Sequence, residues 1–289
     1  MTRHAALLAL HGAVLLFGFA GLFGKWLDLP PIAIVFGRTV VAAAALLLLR
    51  RLRARSRRAN RLPFEWRLVA NGATLALHWV AFFAAIQVST VAIGLLGFAS
   101  FPLFVLALER VLLGRRWQRR EALTAGLVTA GLALLVPEFS LADRTVQGLL
   151  WGLLSGFTFA LLAVFNRRLA AERPATDVAF WQNLWAAVAL APLLLVAGAP
   201  IAVGAREIGL LLVLGVLCTA LAHTLFIDAL ARVSAHTASV VAGLEPVYGI
   251  ALAFLLLGEV PSPRTLLGGA LILAAALFAT RAHARRRDV

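Results

Sequence analysis

Ten long apolar runs dominate this chain, and they decide which folds are open to it. Their approximate spans are 6–26, 31–49, 67–86, 89–109, 119–137, 146–166, 177–198, 207–230, 235–257 and 264–281. A helix needs about 20 mostly apolar residues to cross the hydrocarbon layer of a bilayer. With 62% hydrophobic and 14% charged residues, the chain carries more apolar surface than one soluble core can bury. Transmembrane β-strands would alternate in polarity. These runs are continuous, rich in Leu and Ala, and too long for strands. The expected fold class is therefore an all-α membrane protein with ten transmembrane helices.

Arg3 and His4 precede the first run, but it contains His11 and Lys25 and has no small-residue cleavage site ahead of a soluble domain. It is read as the first span. The single cysteine, Cys218, excludes an intramolecular disulfide.

The net charge of +14 is organised by the spans, which argues against nucleic acid as a partner. Arg50 to Arg67 hold eight arginines between the second and third spans, and Arg110 to Arg120 hold five after the fourth. Counting alternate loops, 22 basic residues fall on one side and four on the other: Lys25, Arg144, Arg206 and Arg264. Arg38 lies within a span. The positive-inside rule then places both termini in the cytoplasm, which requires an even number of spans.

The chain also repeats itself at half its length. At an offset of 144, Pro102 maps to Pro246, Gly114 to Gly258, Phe36 to Phe180 and Gly12 to Gly156. One residue out of register, His78 maps to His223 and Val88-Ser89 to Val233-Ser234. The unit is five spans, and five is odd, so the second copy enters from the opposite face. The charges agree, since Arg115 corresponds to Glu259 and the arginine-rich loop to a stretch near 199–206 with only Arg206. Two inverted five-helix repeats, 1–144 and 145–289, are expected to form one unit around a central cavity.

The stretch from Ala229-Leu230 through Glu245-Pro246-Val247 to Leu256-Leu257-Gly258-Glu259 resembles the second half of the EamA domain of the drug/metabolite transporter superfamily. The first copy is looser, with Phe101 before Pro102 and Arg115 in place of the final Glu. Arg38 near the start of the second span also looks like the family, and the resemblance covers essentially the whole chain. It implies a secondary transporter that exports amino acids, other metabolites or drugs. Length and helix plan are similar to YddG-type exporters of aromatic and neutral amino acids in the bacterial inner membrane. Nucleobases or sugars would be alternative cargoes on the same fold.

Several residues are candidates for handling such a substrate in a cavity lined by spans one, three, four, six, eight and nine. Arg38 could hold a carboxylate, or pair with Glu245 or a carbonyl. Glu245 could read an amino group, carry a proton or cap a kink at Pro246. His78 and His223 hold equivalent places and could bond substrate, titrate or simply pack. Trp79, Phe82, Phe98, Phe101 and Trp185 could wall an aromatic cavity or face lipid, and Tyr248 adds a hydroxyl near Pro246. Pro102 and Pro246 could kink their helices and gate them. Gly148, Gly152 and Gly156 would let a neighbouring helix approach closely.

No Walker A loop, H-E-x-x-H, Cys–His metal spacing or G-x-S-x-G is present. No cofactor or metal is expected. An intramembrane enzyme acting on a lipid-linked substrate, or a scaffold, are the alternatives from other classes. Proton coupling, and monomer against homodimer, stay open at this level.

Overall fold

The structure is a computed structural model, and it describes residues 3–54, 65–113, 119–135, 140–198, 203–230 and 241–284. Gly114, Arg115, Val233 and Ser234 of the repeat lie outside the described residues.

Every regular element among the described residues is helical, the expected answer of a chain that must satisfy its backbone hydrogen bonds inside lipid. Spans one to three are α1 (Arg3–Trp26), α2 (Pro31–Ala54) and α3 (Trp66–Val88). The fourth is broken into α4 (Val91–Phe98) and α5 (Phe101–Leu113), and the fifth is α6 (Arg119–Leu135). The sixth and seventh are α7 (Arg144–Glu172) and α8 (Ala175–Val196). The eighth runs through α9 (Ala205–Gly215), a π-helical turn (Val216–Leu221) and α10 (Ala222–Leu230). The ninth and tenth are α11 (Glu245–Leu257) and α12 (Pro263–Ala284).

These are the ten expected spans. Seven have the length and hydropathy to cross a membrane, and three shorter apolar helices, Leu123–Leu135, Glu245–Leu257 and Pro263–Ala275, complete the set. Large apolar side chains such as Leu8, Val111, Val196 and Leu255 stand more than 70% exposed, as lipid-facing residues do.

Local chemistry places the helix starts. Thr90 caps α4 by accepting from Ile93 N at 3.1 Å, and Asp143 caps α7 by accepting from Val146 N at 3.0 Å. Gly258 ends α11 at φ 67°, a left-handed conformation that suits glycine.

The packing is two-fold symmetric in its pairings. Span three packs on span six, and span one on span eight. Span four packs on span six, and span nine on span one. Spans two and seven touch each other, as do spans four and nine, and spans five and ten. Each pairing turns into another, or into itself, when the halves are exchanged. Close approaches between backbones seal the equivalent joints with different residues. A Cβ on Gly152 would lie 2.9 Å from Gly97 Cα, and one on Gly18 would lie 2.8 Å from Gly249 N. The Gly148–Gly152–Gly156 ladder does face a neighbour, meeting Ser89, Gly97 and Phe98 in turn.

The prolines correct one expectation. Both repeats break just ahead of these prolines, at the two-residue turns 99–100 and 243–244, which are 144 residues apart. Pro102 and Pro246, however, do not kink a continuous helix. Each sits second in the helix that restarts after the turn, where a missing N–H costs no helical bond. The proline inside a helix is Pro192, in α8.

Polar clasps tie the ends. On the arginine-poor side, Lys25 Nζ donates to Ser89 O at 2.7 Å, and Glu259 Oε2 accepts from Val91 N at 3.0 Å. On the opposite side Arg50 pairs with Asp177 at 3.0 Å, and Arg173 pairs with Glu65.

Candidate functional site

A buried charge organises the centre of the molecule. Arg38, 2% exposed, projects from the second turn of α2. Its Nε and Nη2 donate to the hydroxyl of Thr219 at 3.1 and 2.9 Å. Thr219 lies in the π-helical turn of span eight and itself donates to Leu214 O at 2.8 Å, five residues back. The wide turn thus holds the hydroxyl with its lone pairs toward the guanidinium. On the other face, the guanidinium carbon stands 3.8 Å from the centroid of Trp79 and 5.5 Å from that of Phe83. A cation over an indole in a desolvated site gains about 2 kcal/mol. Among the described residues no carboxylate forms an ion pair with Arg38. A charge in this setting is expensive and ordinarily marks a ligand path.

Span two was not among the six spans expected to line the centre, yet it supplies this residue. Thr219 was missed by sequence reasoning. It is 181 residues from Arg38, and an isolated threonine in an apolar run gives no signal.

Glu245, 9% exposed, opens α11. Among the described residues its carboxylate has no hydrogen bond or salt bridge, and it lies within electrostatic reach of Arg38. The Arg38 guanidinium and the Glu245 carboxyl group are thus both buried, with no ion pair between them.

The histidines sit on either side of Trp79. His223 stacks at an angle on Trp79, with centroids 5.2 Å apart, and on Phe17 at 5.4 Å. His78 is bonded through Nδ1 to Ser155, with the carbonyl at 2.9 Å and the hydroxyl at 3.0 Å. Around His78 lie Phe82, Phe98 and Phe159 at centroid distances of 6.4, 5.6 and 5.3 Å. Phe101 stacks on Phe98 at 5.5 Å. The structure brings Arg38, His78, Trp79, Phe82, Phe98, Phe101, His223 and Glu245 into one connected centre. It adds Phe17 and Phe159, which the sequence did not single out.

Two expected residues lie elsewhere. Trp185 packs with Leu68, Leu169, Val178 and Trp181 between spans three, six and seven. Its Cβ there is pressed against Gly72, and it packs on a different apolar cluster from the one that holds Trp79. Tyr248 bonds His11 Nδ1 at 2.9 Å and packs on a cluster of Leu10, Val14, Ala229 and Val241. Its hydroxyl is thereby engaged in the joint between spans one and nine. Among the described residues no group of His, Cys, Asp and Glu could hold a metal ion.

A ten-span bundle of two repeats with an arginine and a carboxylate at its centre defines a membrane carrier. The family model described as the EamA-like transporter family matches residues 4–136 and 146–281, and the chain belongs to that family. It is an integral multi-pass membrane protein and a transporter of this type. An uncharacterized transporter of Archaeoglobus fulgidus is 30% identical over 203 residues, 70% of this chain and 71% of that protein. The pseudopaline exporter CntI of Pseudomonas aeruginosa is 28% identical over 256 residues, 88% of this chain and 87% of its own. The uncharacterized transporter YwfM of Bacillus subtilis is 26% identical over 226 residues, 78% of this chain and 76% of its own. One crystal structure superposes with a TM-score of 0.67 at 21% identity, covering 97% of each chain, and shows the likeness of fold alone.

Proposed function

We propose that the protein exports amino acids, neutral and aromatic ones included, across the bacterial inner membrane by alternating access. The observation that carries this reading is the buried guanidinium of Arg38 with the carboxyl group of Glu245 in the same interior. Arg38 is held by neutral Thr219 and the Trp79 ring, which leaves its charge for a carboxylate. Glu245 offers a carboxyl oxygen to an amino group. Trp79, Phe82, Phe98 and Phe101 form an apolar shelf beside them for a side chain. The 28% identity to a protein named as a pseudopaline exporter supports the direction of transport.

In this reading the repeats divide as 1–144 and 145–289, and both termini face the cytoplasm. One half rocks against the other, and the paired breaks at 99–100 and 243–244, each followed by Pro102 or Pro246, are the hinges. Short turns absorb backbone rotation at lower cost than a continuous helix does.

The test is flux. Purified protein in liposomes loaded with a panel of radiolabelled amino acids should release some of them faster than empty liposomes. A pH gradient imposed across the same liposomes separates a facilitator from a proton exchanger. Flux of a nucleobase, sugar or drug with none for any amino acid would sink the amino-acid reading.

A further inference from the structure

The inverted repeat gives Arg38 a counterpart. At the 144-residue offset it falls on Gln182 of span seven, 1% exposed. Arg38 reaches across to span eight, and Gln182 reaches across to span six. Its Nε2 donates to Asn166 Oδ1 at 2.8 Å. The same oxygen accepts from Nδ2 of Asn71 in span three at 2.9 Å. Three carboxamides from three spans therefore meet inside the bundle. Gly72, next to Asn71, lets the third and seventh helices press together here. A Cβ on it would stand 3.0 Å from the Gln182 carbonyl oxygen.

The bonding is lopsided. Both donating amides point at one acceptor, and this leaves Asn71 Oδ1 and Gln182 Oε1 buried with no hydrogen-bond partner. One residue along α8, Asn183 Oδ1 is in the same condition, because its Nδ2 is committed to Ala179 O at 2.8 Å. Buried polar oxygens without a donor are rare and need an explanation. Here Asn71 Oδ1 and Gln182 Oε1 belong to amides that share the one acceptor, Asn166 Oδ1.

We propose that this carboxamide cluster is a binding site for an alkali cation, with Asn71 Oδ1 and Gln182 Oε1 as ligands. Neutral oxygen donors with no nitrogen or sulfur among them suit a hard cation. Calcium and magnesium sites are built on carboxylates, and this cluster has none. Carboxamides do not titrate, so the ion is not a proton. Asn166 is only half-buried, which gives the cluster a side open to entry. The two halves thus carry opposite chemistry at equivalent positions: a donor-rich site at Arg38 and an acceptor-rich site at Gln182. An ion bound between spans three, six and seven would stabilise one packing of the repeats, the means by which a gradient couples to transport.

The experiment needs no knowledge of the transported substrate, so its outcome is independent of the amino-acid reading. Thermal unfolding of the purified full-length protein in detergent is followed in sodium, potassium, lithium and choline chloride at constant ionic strength. The expected result is a saturable rise in Tm of several degrees with an alkali ion and none with choline. That rise should be lost in Gln182→Leu. Equilibrium dialysis of the wild-type protein with radioactive sodium or rubidium should give close to one ion per chain, whether or not the variant folds. Identical melting in all four salts with no bound ion would overturn the proposal and leave the oxygens to ordered water.

Discussion

Arg38 donates twice to one hydroxyl, that of Thr219, 181 residues away in the other repeat. The bond crosses between the halves and orients the buried arginine of the second span. It makes the geometry of the centre depend on both repeats being packed together.

Thr219→Val keeps the shape and removes the acceptor. A hydrogen bond to a charged group contributes about 1.5–3 kcal/mol, so Tm should fall and the KM for transported substrate should rise about tenfold or more. Arg38→Lys should not substitute, since an ammonium cannot form the planar two-pronged bond or stack on Trp79. Both are checked by melting in detergent and by flux. Wild-type KM in Thr219→Val would show that the bond does not set the arginine.

The two tryptophans should separate. Trp79→Ala removes the face on which Arg38 and His223 rest, and flux should collapse while folded protein is still recovered. Trp185→Ala vacates the cluster around Leu68 and Leu169 and should cost stability, about 3–5 kcal/mol, with transport by the surviving protein little changed. Equal loss of flux at equal stability would contradict this division.

Close helix contact can be tested one methyl at a time. At Gly18 a Cβ would meet Gly249 N at 2.8 Å and Glu245 O at 3.0 Å, both backbone atoms that cannot swing aside. Gly18→Ala should destabilise by about 1–3 kcal/mol and reduce the folded yield. Nothing lies within 4 Å of a Cβ placed at Gly12 on the same helix, where Gly12→Ala should stabilise slightly through helix propensity. Melting temperatures of the two variants should move in opposite directions.

Orientation is open to thiol labelling. Cys218 is fully buried and should not react with an impermeant maleimide. With Ala142→Cys the reagent should label from outside intact cells. With Ser56→Cys it should label only after the membrane is opened. Labelling in the reverse pattern would invert the assigned topology.

The sequence by itself determined the number of spans, the all-α class and the repeat. Each of these follows from a local rule. A run of some 20 apolar residues has one stable form in lipid, and the duplicated pattern is written in residue identities such as Pro102 and Pro246. The paired prolines were legible for the same reason, although they begin helices where kinks in continuous ones were expected.

Only the tertiary structure decided which faces turn inward. A soluble helix shows its buried side by contrast with a polar one, and helices apolar all round lack that contrast. Trp79 and Trp185 therefore looked alike in sequence, and one entered the charged centre while the other packed into a wall. Thr219 became the partner of Arg38 because two chain halves folded against each other. Such a contact joins residues far apart along the chain, and no local pattern encodes it.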